Sequence, residues 1–233
     1  MGVFIFSCLF GLFFVIRARK LNVNLLLYLG CTYFFAGLVY LGDVLDFVSI
    51  LLTGKNIDNR FGLIGLINWM WLPGAVLCAI YIGVEILIPN KKWYIFIIYL
   101  VLGILFELFL FLDPSGSVTY ANPATPGEDL INDNLVEDSI IYYIALIFLV
   151  TIIILIGFGF LVKAIQSRGI IRKKFLYLSI GGFIYTIGGI LDGLFSPGII
   201  LILIRSAMIG SAWLFYLGLK PTWIKPNMII VEK

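Results

Sequence analysis

Apolar residues in this chain come in long runs, and polar residues come as short punctuation between them. Runs such as "GVFIFSCLFGLFFVI" (2–16), "YIFIIYLVLGILFELFLFL" (94–112) and "IIYYIALIFLVTIIILIGFGFLV" (140–162) have no polar face of the kind a water-exposed helix shows. A bilayer span needs about 20 apolar residues, because a helix rises about 1.5 Å per residue across a hydrocarbon core about 30 Å thick. Seven segments meet that requirement or approach it: 1–16, 23–43, 66–88, 93–112, 140–162, 175–195 and 198–219. The pattern predicts an all-α polytopic membrane protein, a seven-transmembrane helix bundle forming one domain over 1–233 with no soluble domain. Segment 1–16 reads as a first span and not as a secretory leader, since its basic cluster "RARK" follows the apolar run and no small-residue cleavage site is present.

Composition agrees with the pattern. The chain is 62% hydrophobic and 12% charged, with a mean hydropathy of +1.11, too little polar surface to clothe a water-soluble globule. The net charge of +3 carries information only through its placement. Every Lys and Arg except Lys55, Arg60 and Arg205 falls on one side of the predicted spans, whereas the loop 113–138 carries Asp113, Glu128, Asp129, Asp133, Glu137 and Asp138 and no basic residue. Cytoplasmic loops hold the excess of Lys and Arg, so the N-terminus is expected outside and the C-terminus inside, in the cell membrane. This charge is a topology signal and gives no reason to expect nucleic acid as a partner. The loop 113–138, rich in Pro, Gly, Asn and acids, reads as solvated coil on the outer face, either a lid or a tether. Cys8, Cys31 and Cys78 fall inside spans as small hydrophobes, and the chain has no His.

A weak internal repeat runs through the chain. "LYLGCTYFFAGLVYLGD" (27–43) aligns without a gap on "LYLSIGGFIYTIGGILD" (176–192), ending in Asp43 and Asp192, and "YIGVE" (81–85) echoes "YLGLK" (216–220). Spans one to three and five to seven would then be parallel copies joined by the fourth, a 3+1+3 plan. That plan resembles small sugar transporters of the three-plus-one-plus-three type, and seven spans resemble opsins. No Pro-Gln pair occurs, however, and no Lys lies midway along the seventh span, so neither family is assigned.

Charge inside the spans is the candidate chemistry. An ionised side chain at the bilayer centre costs about 2.5–3.5 kcal/mol on insertion scales, so it pairs, faces a wet cavity, or does both. Asp192 and Arg205 flank the turn at 196–198 and sit about 5 and 10 Å below the outer boundary at about 1.5 Å per residue, within reach of each other. Glu107 lies at about 8 Å depth by the same rise and is a second candidate partner for Arg205. Asp43 and Asp46, three apart on one helix face, are expected at headgroup level and solvated. Asn68 reads as an interfacial cap or a ligand-facing group, Pro73 as a kink, and Glu85 as snorkelling to Lys91 or Lys92. Gly182, Thr186, Gly189 and Gly193 form a small face on the sixth span, with Tyr185 and Asp192 beside it.

Asp43, Asp46, Asn68, Glu107, Tyr185, Asp192 and Arg205 therefore make a candidate outer-half cluster for a small ligand or ion. The paired Asp43 and Asp192 invite comparison with intramembrane aspartyl proteases, but "YLGD" has Tyr40 where that family's first Gly belongs. No zinc, nucleophile-elbow or phosphate-loop motif is present, so neither cofactor nor metal nor catalytic residue is expected. The expectation is a receptor or sensor module acting through a cytoplasmic partner, oligomeric or not. A 3+1+3 transporter of a small solute or ion is the alternative.

Overall fold

The computed structural model describes residues 1–194 and 198–220. The turn expected at Ser196 and Pro197, the surroundings of Gly193, and the tail with Lys225 and Lys233 lie outside what is described. Helix α1 (Gly2–Leu21) stops where Asn22 adopts φ 52° and reverses the chain. Helix α2 (Asn24–Leu38) returns beside it, and α3 (Leu41–Thr53) continues after a 44° bend. Helix α4 (Leu63–Trp69) is followed by α5 (Leu72–Leu87). The sequence predicts a kink at Pro73, and the structure interrupts the regular helix just before it, at Met70 and Trp71. Proline lacks the N–H that would bond the Trp69 carbonyl, and it occupies the first turn of a new helix instead.

Helix α6 (Lys92–Leu112) leads through the single turn α7 (Pro114–Ser117) to β1 (Val118–Ala121) and β2 (Asn132–Leu135). Helix α8 (Ile140–Ile152) passes through a π-helical stretch, Ile153–Gly159, into α9 (Phe160–Gln166). Helices α10 (Gly169–Leu194) and α11 (Ile199–Leu219) complete the described chain. Among the described residues, six helices are long and apolar enough to cross a membrane, counting α4 with α5 and α8 with α9 as continuous. The bent pair α2 and α3 brings the number to seven if it is one span. Ile98, Phe111, Val150 and Leu203 stand exposed on the flanks of the bundle, as a lipid-facing surface requires. The chain is a mostly helical, membrane-embedded bundle.

Close approach of backbones sets the packing. Gly11 and Gly30 face each other where α1 crosses α2: a Cβ on Gly30 would lie 2.8 Å from the Gly11 carbonyl oxygen, and one on Gly11 would lie 2.8 Å from Phe34. The π stretch answers a similar demand. A Cβ on Gly182 of α10 would meet Ile156 at 2.6 Å, and Ser179 donates to the Gly157 carbonyl at 2.8 Å, a second donor there beside the Phe160 backbone N–H. Two apolar cores result. One, around Phe14, Leu26, Ile82, Phe160, Leu178 and Phe215, joins α1, α2, α5, α9, α10 and α11. The other, around Ile80, Phe106, Leu110 and Phe148, joins α5, α6 and α8 and receives Val118 from β1.

The two ends of the bundle differ. At one end the loop 113–138, expected as solvated coil, contains an antiparallel hairpin with Val118 paired to Leu135 and Ala121 to Asn132. Val118 and Ile131 turn inward and are buried, which ties the segment to the bundle. At the other end lie the basic turns. Glu85 meets Lys92 at 2.7 Å there, and Lys174 donates to the Lys220 carbonyl at 2.5 Å, joining the start of α10 to the end of α11. Cys8, Cys31 and Cys78 are free and half-buried.

Gly30→Val should force α1 from α2 and lower stability by about 1–3 kcal/mol, the usual cost of overpacking. Gly189→Ala should cost nothing, because a Cβ at 189 meets open space. Thermal unfolding of both variants in one detergent checks the contrast.

Candidate functional site

The hairpin end is held by three hydrogen-bonded hubs built from side chains far apart in sequence. In the first, Arg205 of α11 grips Asp192 of α10 with two nitrogens, Nε at 2.6 Å and Nη2 at 3.2 Å. Tyr40, at the bend between α2 and α3, donates its hydroxyl to the same carboxylate at 3.0 Å, and its ring lies 5.6 Å from the guanidinium carbon. Asp192 is 12% exposed and Arg205 35%. The carboxylate is therefore well satisfied within the fold, as a charge in a low-dielectric setting must be.

Asn68 is the second hub. Its carbonyl oxygen accepts the Gly42 backbone N–H at 2.6 Å, while its amide nitrogen donates to Asp43 and to Asp133, each at 2.9 Å. Trp69 donates its indole N–H to the other oxygen of Asp133 at 2.8 Å. One buried amide thus joins α3, α4 and β2, with two carboxylates on a single NH₂ group. Burial pushes the Asp133 carboxyl up to about 6, and the nearby Asp43 charge adds to the rise.

Asp46 is the third. The sequence predicts it solvated at headgroup level, yet it has no exposed surface. It accepts the backbone N–H of Ile57 at 2.8 Å, that of Ile131 at 3.0 Å, and the Asn56 amide at 2.8 Å. Asn56 in turn bonds the Asp129 carbonyl and the Gly127 N–H. Gly127 has φ +85°, and a side chain there would collide with the Gly54 carbonyl, so only glycine fits. Asp46 stitches the loop after α3 to the loop between the strands.

Beneath the hairpin lies a cavity of about 780 Å³ bounded by α2, α5, α8 with its π stretch, α10 and α11, and roofed by Thr119, Asn134, Leu135 and Glu137. Of the seven residues that the sequence singles out, Tyr185 lines it. Asp43, Asn68, Asp192 and Arg205 sit in the hubs at its upper rim, Asp46 in the loop stitch. Glu107 lies apart, in a shallow apolar groove between α5 and α6 beside Pro73 and Gly103; among the described residues the ion partner of Arg205 is Asp192. The cavity walls are mostly aliphatic. No group of three metal-ligating side chains occurs among the described residues. Asp133, Tyr40 and Asn56 were not singled out by sequence, since the Asn and Asp residues of "INDN" (131–134) read as coil and not as a strand.

The chain was compared with protein-family models, curated proteins and solved structures, and matches none of them.

Arg205→Leu strands Asp192 with one hydroxyl donor and should destabilise the bundle by about 2–3 kcal/mol, the scale of a lone intramembrane charge. Glu85→Gln, at the basic end, should have the smaller effect in the same thermal-stability assay. Asp133 generates a pH dependence. Its native carboxyl holds a proton up to about 6 against an ordinary value of 3.8, so the docked hairpin binds the extra proton and is stabilised at low pH. That stabilisation fades as pH rises through this window, by on the order of 2–3 kcal/mol. Protection of the Thr119 and Asn134 amides, the ladder pair next to the Val136 to Ser117 bond, from hydrogen exchange, corrected for intrinsic rates, should fall accordingly, and Asp133→Asn should flatten the profile.

Proposed function

We propose that the chain is a seven-span, receptor-like sensor module of the cell membrane, with the hairpin end outside and the basic end in the cytoplasm. A small ligand occupies the cavity under the hairpin. Tyr185 faces that ligand, while the hubs of Asp43, Asn68 and Asp46 hold the roof over it. The clamp of Asp192, Arg205 and Tyr40 supplies the two-state element: α10 and α11 can shift against α2 only by exchanging its hydrogen bonds. The shift reaches the basic end, where Arg19, Lys20, Lys91, Arg172 and Lys173 are exposed to meet a cytoplasmic partner. Glu107 takes no part in this reading.

The observation that carries the reading is the closure of the cavity toward the basic end. Its lower wall of Leu29, Ile82, Ile156 and Phe215 merges with the apolar core around Phe14, Ala18, Leu178 and Ala212. A transport path would need a continuous run of available polar groups through that core, whereas the buried hydroxyls described there are few and engaged within the protein, as Ser179 is with the Gly157 carbonyl. Tyr33 spends its hydroxyl on Ser211 at 2.8 Å.

The test is solvent access. In proteoliposomes of a variant lacking Cys8, Cys31 and Cys78, Ala18→Cys and Ala212→Cys should resist a membrane-impermeant maleimide applied to either face, while Lys173→Cys reacts. Labelling of either core position would replace the sensor with a transporter.

A further inference from the structure

The cavity has a side door. Leu146 and Val150 of α8 and Ile190 of α10 both line it and are exposed on the flank of the bundle. Between them stands Gly189, exposed and with open space where a side chain would be. In a membrane that flank faces acyl chains and not water, so the entrance admits molecules already dissolved in the bilayer. Gly189 leaves that part of the flank without a side chain, which suits the entry of a single hydrocarbon chain. From Tyr142 to Ile153 the cavity follows α8 for about 16 Å at about 1.5 Å per residue, long and aliphatic.

Polar groups occur at two levels. The roof offers Thr119, Asn134 and Glu137. Lower on α10, Thr186 is 3% exposed and lines the cavity, yet its Oγ1 has no hydrogen-bond partner. A buried hydroxyl without a partner costs about 1–3 kcal/mol, so this one is an unfilled donor in the cavity wall. Glu137 is the one charged side chain among the lining residues. It would repel an anionic head and accept hydrogen bonds from a hydroxylated one.

We propose that the cavity is a binding site for a neutral, single-chain, hydroxyl-headed lipid with an acceptor where head and chain join, the chemistry of a monoacylglycerol. The hydroxyls bond the roof at Asn134 and Glu137. The ester carbonyl accepts from Thr186 Oγ1, the chain fills the aliphatic channel toward Ile153, and entry is lateral past Gly189. This rests on the sensor reading for its purpose and specifies that module's ligand.

The experiment measures binding of monoolein to the full chain in phosphatidylcholine nanodiscs, by thermal shift and by native mass spectrometry of the released complex. Oleate serves as the anionic probe and dioleoylglycerol as the two-chain probe. Monoolein should bind and stabilise, and the other two should not. Thr186→Val, which keeps the shape, should weaken monoolein binding about threefold to tenfold through one lost hydrogen bond. Gly189→Phe should fill the door and abolish binding. Failure of monoolein to bind, oleate binding as well as monoolein, or indifference of binding to Thr186→Val would overturn the ligand class. Those results leave maleimide access to the core unchanged, whereas a core that labels removes the sensor reading whatever the lipid does.

Discussion

A carboxylate that cannot reach water must find its donors within the protein, and at the hairpin end this constraint decides where nearly every element goes. Asp192 is held by donors from α11 and from the bend after α2, Asp43 and Asp133 share one amide from α4, and Asp46 draws on two loops. Each acid is a joint because its partners are distant in sequence. The apolar helices pack well in many arrangements, since lipid tails compete on equal terms with Leu and Ile. Directional bonds to buried acids select one arrangement among them.

The cavity follows from the same division of labour. Near the basic end, bulky residues such as Phe14, Phe160 and Phe215 fill the space between helices, and Gly157 and Gly182 bring the π stretch onto α10. Toward the hairpin, small residues on α5 and α10, including Ala75, Ala79 and Gly189, leave a volume that no described side chain fills. The hubs make that volume sustainable. A bundle held only by apolar contact would collapse around a space this size, because each missing contact forfeits dispersion energy, whereas a ring of fixed hydrogen bonds above it props the helices apart.

How much of this was legible in the sequence depended on how locally each feature was encoded. The long helices were legible because hydrophobic run length maps directly onto bilayer thickness. The Asp192 and Arg205 contact was legible because a short turn fixes both depths by simple helical rise. Glu85 finding Lys92 has the same origin. Asp46 was not legible: its donors Ile57 and Ile131 are backbone groups, and no side-chain pattern announces a backbone N–H that arrives from 85 residues away. The hairpin escaped notice because each strand is four residues long, one of them "NDNL", within a stretch whose composition otherwise signals coil. Asp133 went with it. The cavity was invisible too, since an absence of side-chain volume depends on how five helices meet.

That last difference bears on what the polar cluster is for. Sequence places Asp43, Asn68, Asp192 and Arg205 together and invites the inference that they grip a ligand, as unpaired intramembrane charge so often does. Geometry already engages each of them within the protein: Asn68 bonds the Gly42 N–H, Asp43 and Asp133, and Asp192 takes donors from Arg205 and Tyr40. A group already saturated with hydrogen bonds gains little by exchanging one for a ligand's, and the exchange costs the joint it belongs to. Thr186 stands in the opposite condition: uncharged, inconspicuous in sequence, and short of a partner. The chemistry available to an occupant lies with the donors and acceptors that the fold leaves unused, and the acids bonded within the protein set the frame in which those are presented.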